Sequence, residues 1–258
     1  MNTTRRWLAA VAMAFALTGA GAMQAMAANI FLSGDSNIAN PLTGNGTPVN
    51  PGNQQFFRNI LGSATNVTLL NTSVPFVNAP NDISFFYSSL PGVTTSIFNG
   101  TVSAANLAGS QLFVVAVPQN SFSASELSAI VSYVAAGNSV FFLGENDDPS
   151  FDVGNGAINA ALAALGSSMS IVKDNFDAGF KPTTIGVDPL TAGVLSMVHA
   201  APSRVAGGTQ ILFGTEEQPF FAYETVGTSV VPVPASLPLL VGGLGVIGLA
   251  MRRRNATH

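Results

Sequence analysis

Cysteine is absent from this chain of 258 residues. Its absence excludes disulfides, thiolate-ligated zinc and every mechanism with a thiol nucleophile, and it leaves stability to packing alone. Histidine is nearly absent as well: His199 and His258 are the whole supply, which narrows imidazole ligand sets and Ser-His-acid arrangements alike. Charge is scarce, at 9% of residues, whereas 47% are hydrophobic. A chain this apolar can bury a large core and does not have the composition of a disordered protein. Basic residues are scarcest between the ends. Of nine Lys and Arg, only Arg58, Lys173, Lys181 and Arg204 accompany the thirteen acids of the central region. Such an acidic excess lacks the surface that displaces counterions, which argues against nucleic acid as a partner.

The remaining basic residues mark the two ends. Arg5 and Arg6 precede an apolar run from Trp7 to Leu17, and small residues follow, with Ala25-Met26-Ala27 as an A-x-A cleavage site. This is the three-part plan of a secretory signal peptide, predicted for residues 1–27 and cut at Ala25 and Ala27. The secretion translocon and signal peptidase are the implied partners. The run is short for a permanent span, and an uncleaved anchor is the alternative. The arginine pair also suits twin-arginine export, although the general secretory route is the simpler expectation.

At the other end Val231-Pro232-Val233-Pro234-Ala235 precedes an apolar, glycine-rich run ending at Met251, and Arg252, Arg253 and Arg254 close it. From Ser236 to Met251, at about 1.5 Å per residue, a helix would cover roughly 24 Å, a short span for a hydrocarbon core of about 30 Å. Glycine is commoner in membrane helices than in soluble ones, and the positive-inside preference would hold the arginines in the cytoplasm. A buried terminal helix of the central domain is the alternative. This order of Val-Pro-Val-Pro-Ala, apolar helix and arginine cluster resembles the PEP-CTERM class of bacterial sorting signals, and most closely its Val-Pro-Leu-Pro-Ala variant. Val233 stands where that variant has Leu, and no glutamate lies between Pro232 and Pro234. The resemblance covers about the last 28 residues. It implies recognition by an exosortase-type enzyme, transient membrane anchoring, and delivery across the inner membrane to the cell surface or extracellular matrix of a biofilm.

The three expected segments are thus 1–27, a domain over 28–228, and a tail over 229–258. In the domain, Ile30-Phe31-Leu32 reads as a buried strand ending at Ser33-Gly34-Asp35, followed by a loop to Gly52. Gln54 to Leu61 reads as a helix with Phe57, Ile60 and Leu61 on one face. Val67 to Leu70 is a second strand. The continuous run from Leu112 to Val117 suits a strand covered on both faces. Ser123 and Glu126 form a capping-box pattern, with Phe122 and Leu127 placed as a staple. Leu127, Ile130, Val131 and Val134 then follow at helical spacing up to Gly137, and a strand from Ser139 to Gly144 completes a parallel βαβ unit. A helix over Ala157–Leu165 and strands over 169–172, 184–187, 210–213 and 220–223 complete the reading. The expected fold is α/β: an open, mostly parallel, flavodoxin-like sheet with helices on both faces. Ser125 to Glu145 and the loop Asp188-Pro189-Leu190-Thr191-Ala192-Gly193-Val194 resemble the type 1 glutamine amidotransferase-like domains and their non-catalytic relatives. That resemblance speaks for fold only, because the family's activity requires the cysteine that this chain lacks.

Ligands of open α/β sheets gather beyond the carboxyl ends of the strands. Asp35 falls there, as do Glu145, Asp147 and Asp148, with Asp152 nearby. With Asn146 and Asn155 these oxygens would suit a hard cation such as calcium, though the spacing is not that of an EF-hand and a solvated acidic loop with turn-forming Asp and Pro is the simpler reading. Asp35 and Glu145 also form a candidate pair for glycoside hydrolysis. His199 reads as packed or surface histidine, and Ser33 as a turn serine before a nucleophile. Gly44-Asn45-Gly46 lacks the Lys-Ser/Thr of a phosphate loop. No cofactor is expected. The expected function is a non-enzymatic protein directed to the surface or matrix. The alternatives are an extracellular hydrolase of carbohydrate or ester, using Asp35, Glu145 or His199, and a calcium-dependent binding module.

Overall fold

The computed structural model describes residues 28–227. The predicted signal peptide, with Ala25 and Ala27, and the predicted tail, with Val231 to Ala235 and Arg252 to Arg254, lie outside the described residues. Among the described residues no helix is long and apolar enough to cross a membrane.

Strand β1 (Ala28–Ser33) leads through a 3-10 turn into the short helix α1 (Asn40–Thr43) and then α2 (Pro51–Leu61). The loop expected up to Gly52 therefore contains helix, started by Pro41 and by Asn50, whose side chain caps Gly52 and Asn53. Next come β2 (Asn66–Leu70), α3 (Ala79–Ser88), β3 (Thr94–Phe98), α4 (Ala104–Leu107), β4 (Leu112–Ala116), α5 (Ala124–Ala135), β5 (Ser139–Leu143) and α6 (Asp152–Ala164). The capping box of Ser123 and Glu126 is present at α5. Helix α6 starts five residues before the predicted Ala157, because Asp148 and Pro149 organise the turn ahead of it. The rest is β6 (Ser170–Val172), β7 (Phe180–Pro182), β8 (Thr184–Ile185), β9 (Val198–Ala200), β10 (Arg204–Ala206), β11 (Thr209–Phe213) and β12 (Pro219–Val226).

The main sheet has eight strands in the order β3-β2-β4-β5-β1-β12-β11-β8. The five from β3 to β1 are parallel, and β12, β11 and β8 continue antiparallel. The predicted βαβ unit is β4-α5-β5. The strand predicted at 169–172 is not in this sheet: β6 pairs with β10 in a small ladder, and β7 pairs with β9 in another.

Alternation along the parallel strands sends each neighbour to an opposite core. Phe31, Val67, Leu69, Leu112, Val114, Phe141 and Leu143 join the core under α1, α2 and α3. Ile30, Leu32, Phe113, Val115, Val140 and Phe142 join the one under α5 and α6. The first core is aromatic at its centre. Phe141 stands 5.8 Å from Phe57, 5.9 Å from Phe221 and 6.1 Å from Phe31, and Phe56 meets Phe221 edge-on at 4.9 Å. Such contacts add about 0.5–1.5 kcal/mol per pair beyond the area buried. At the end of β4, Val117 adopts a left-handed φ of 35°, strained for a β-branched residue. It is packed against Gly154 of α6, where a Cβ would sit 2.7 Å from Val117 Cγ1. The variant Phe141→Ala, which removes the ring shared by three neighbours, is expected to cost about 3–5 kcal/mol in urea unfolding.

Candidate functional site

Parallel strands β1 and β5 are adjacent, so the residues just past their carboxyl ends meet. Ser33 turns the chain: its Oγ donates to the Asp35 carbonyl and accepts from the Asp35 N–H. Gly34 follows because a Cβ there would lie 2.1 Å from the Ser203 carbonyl oxygen. Asp35 then points inward with no exposed surface, and Glu145, at 2% exposure, joins it from β5.

Each carboxylate is held by donors. Asp35 Oδ1 accepts from Asn37 N–H at 2.7 Å and Oδ2 from Ala200 N–H at 2.8 Å. Glu145 Oε1 accepts from Ser36 Oγ at 2.6 Å and Asn37 Nδ2 at 2.7 Å, while Oε2 has longer contacts of 3.2 Å to Asn146 N and Nδ2. Asn155 clamps the Glu145 backbone, accepting from its N–H at 3.0 Å and donating to its carbonyl at 2.8 Å. Burial pushes both carboxyls well above their ordinary range, Asp35 to about 7 and Glu145 to about 8, with the charge of Asp35 adding to the rise at Glu145. The hydrogen bonds lower both and fail to cancel the desolvation. Two buried carboxyls side by side hold a proton at neutral pH as a pair.

The roof over this pair is β9 with the residues that follow it to Ser203. Asn37 Nδ2 also donates to the Ala200 carbonyl at 3.2 Å, and Ser203 N–H donates to the Gly34 carbonyl at 2.9 Å. Fully buried Asn53 pins β9 from beneath, exchanging 3.0 Å bonds with both Val198 backbone groups and donating to the Ile38 carbonyl at 3.0 Å. His199 faces the other side of β9. Its ring lies 4.7 Å from that of Phe220, with Nδ1 at 2.9 Å from Thr183 Oγ1 and Nε2 at 2.9 Å from Asp177 Oδ2. Burial lowers the proton affinity of His199 against the opposing pull of Asp177. The ring is therefore neutral, donating through Nε2 and accepting at Nδ1. At Asp177 burial raises the carboxyl, but bonds from Thr215 and His199 outweigh it and leave it below its ordinary value.

Of the acidic residues singled out in the sequence, the structure brings together Asp35 and Glu145. Asp147 and Asp148 lie exposed on the loop after β5. Asp148 caps the following turn through Ser150, and Asp152 pairs with Lys173 at 2.9 Å. Among the described residues no group of three or more His, Cys, Asp or Glu gathers as a metal site. Ser36, Asn37, Asn53 and Ala200 escape sequence reading, because their roles are contacts across more than a hundred residues of chain. The one local signal is Asp35-Ser36-Asn37, a side-chain turn in which Asp35 binds the N–H two residues on.

No family model matches the chain, and no curated protein matches it. Among solved structures, the N-terminal domain of mmIFT52 is 15% identical over 60% of this chain and 77% of that one, with a TM-score of 0.48. A protein from Thermoplasma acidophilum, described as one of the subunits of GMP synthase, is 11% identical over 63% of this chain and 83% of that one, with a TM-score of 0.36. At these scores neither likeness bears on the site.

A carboxyl with raised proton affinity can act as a general acid, but only on a group that reaches it. Here both carboxyls are buried; Asp35 holds the β9 backbone at Ala200, and Glu145 holds Asn37, which bonds the Ala200 carbonyl. The pair also sets a pH dependence. Because folding raises both proton affinities, their contribution to stability is whole below about pH 4, the unfolded value, and fades as pH climbs through about 7 and 8. Urea midpoints are expected to fall between roughly pH 5 and pH 9. In Glu145→Gln that alkaline loss should shrink, leaving the part due to Asp35. An unchanged slope would remove the pair as its source.

Proposed function

We propose that this chain is an exported, non-enzymatic α/β protein, carried across the inner membrane by residues 1–27 and directed to the cell surface or extracellular matrix by a PEP-CTERM-type tail over 229–258. The observation that carries the non-enzymatic part is the use made of the candidate acid-base groups. Asp35 is spent on the β9 N–H of Ala200, Glu145 on Ser36 and on Asn37, whose amide also reaches the Ala200 carbonyl, and His199 on tying β9 to Asp177 and Thr183. The sorting part rests on the arrangement of Val231-Pro232-Val233-Pro234-Ala235 and Arg252 to Arg254 about an apolar run.

We read the domain more finely as amidotransferase-like without the thiol nucleophile. The four parallel strands β3-β2-β4-β5 support this, since they run in the 2-1-3-4 order that opens a flavodoxin-like sheet. Strand β1 then takes the next place in the sheet.

Intact mass of the protein recovered from membrane and medium of an exporting host, with and without an exosortase-type enzyme, tests the sorting reading. The expected result is loss of the front segment in both hosts and of the rear segment only with the enzyme. A rear segment retained in both would make it a plain membrane anchor. A carboxylate hydrolase is the second reading, favoured by the raised proton affinity of two carboxyls at the strand ends, and it requires the roof to lift. Asp35→Asn and Glu145→Gln decide between the two. Any ester or glycoside hydrolysis by the purified chain should survive both changes, and a shared loss of about a hundredfold or more would establish acid-base catalysis by the pair.

A further inference from the structure

The sequence contains three Asn-Gly steps, at Asn45, Asn99 and Asn155, and the fold places them in three different chemical settings. An Asn-Gly step can cyclise. The glycine backbone nitrogen, losing its proton to water, attacks the asparagine Cγ; the N–Cγ bond forms, the Cγ–Nδ2 bond breaks, and ammonia leaves with a proton. Water then opens the resulting succinimide at either carbonyl, producing an aspartyl or an isoaspartyl residue. The reaction needs a free glycine N–H, a backbone able to bend into the five-membered ring, and help for the negative charge that develops on Oδ1.

We infer that Asn99 is a self-modification site, converting to aspartyl and isoaspartyl through Gly100 with water as the sole co-reactant, while Asn45 and Asn155 are protected by the fold. Asn99 is exposed, in the turn after edge strand β3. Gly100 has a φ of 102° and open space around its Cα. Its N–H has no hydrogen-bond partner among the described residues. Asn71 Nδ2 donates to Asn99 Oδ1 at 3.1 Å. That bond polarises the carbonyl under attack and stabilises the oxyanion as it forms, leaving Nδ2 free to depart.

The Asn45 step shares the exposure, a glycine N–H without a partner among the described residues and the open glycine at positive φ (Gly46, 68°), and differs in how its amide is held. Asn45 Nδ2 donates to Asp82 Oδ2 at 3.1 Å, so its leaving nitrogen is held by a carboxylate and the developing negative charge faces a like charge. Asn155 is buried inside α6, with Oδ1 and Nδ2 both committed to the Glu145 backbone. Its glycine is fixed in helical geometry, away from the ring-closing conformation.

Conversion at Asn99 turns the acceptor of Asn71 Nδ2 into a carboxylate, adding a negative charge at the end of β3, and in the isoaspartyl form lengthens the backbone by one carbon between β3 and α4.

The test is timed incubation of the purified full chain in mildly alkaline buffer, with peptide mapping by mass spectrometry that separates aspartyl from isoaspartyl products. Position 99 is expected to convert about tenfold or more faster than 45 or 155, equivalent to about 1.4 kcal/mol of barrier or more. Asn71→Ala, an exposed change, is expected to slow conversion at 99 several-fold while leaving 45 and 155 unaltered. In urea-unfolded protein the three rates should converge, which separates an effect of the fold from one of local sequence. Equal rates in the folded chain, or an order led by 45 or 155, would overturn the proposal, as would an Asn71→Ala variant that converts at the parent rate.

Discussion

Strand β1 must be accepted between two strands that run in opposite directions, and the remaining architecture depends on that insertion. It pairs in parallel with β5 and antiparallel with β12, bringing Ala28 opposite Val226. Nothing local holds it there. Its six residues carry no charge, and their side chains alternate between two separate cores, Phe31 to the aromatic one and Ile30 and Leu32 to the other. A shift of one residue would exchange those sets between cores that are already filled, so packing on both faces sets the register. The long separation of the β1–β12 partners also makes this the costliest closure in the fold.

The position of β1 then determines what its carboxyl end does. Because it neighbours β5, Asp35 and Glu145 converge in a place that water does not reach, where two full charges are costly. The fold meets the cost by surrounding them with donors and by retaining a proton. The donors come from the turn at Ser36 and Asn37, from Asn146 and from the Ala200 N–H of the roof, so Asp35 fastens β9 directly and Glu145 does so through Asn37. Asn53 and Asn155 do comparable work as uncharged clamps, each saturated on both sides of its amide. Glycine at position 34 admits the Ser203 backbone beside this site, and glycine at position 144 admits the side chains of Ile171 and Asn155.

Much of the parallel half is legible in the sequence. The run at Leu112–Val117, the box at Ser123 and Glu126, and the run at Ser139–Leu143 each carry their structure within a few residues. Strand β3 and helix α3 are not visible there. Thr94–Phe98 is an edge strand with mostly exposed side chains and no apolar alternation, and Ala79–Ser88 mixes Asn, Asp and Ser with its buried Ile83, Phe86 and Tyr87. The sheet to which β6 belongs is illegible for a related reason: a three-residue strand holds no information about its partner, and Ile171 is buried equally well in a side ladder.

The sequence by itself determined an α/β domain with two apolar cores, no thiol chemistry, an acidic surface and the candidate signals at its ends. Those properties are set by composition and by patterns shorter than one helix or strand. Only the tertiary structure decided that Asp35 meets Glu145, that Asp147, Asp148 and Asp152 stay apart from them, that His199 turns away, and that β9 closes over the strand ends. Each of these is a meeting of residues distant along the chain, and it follows from which strand neighbours which. Strand order is settled by the summed fit of both cores at once, a quantity that no short window of residues contains.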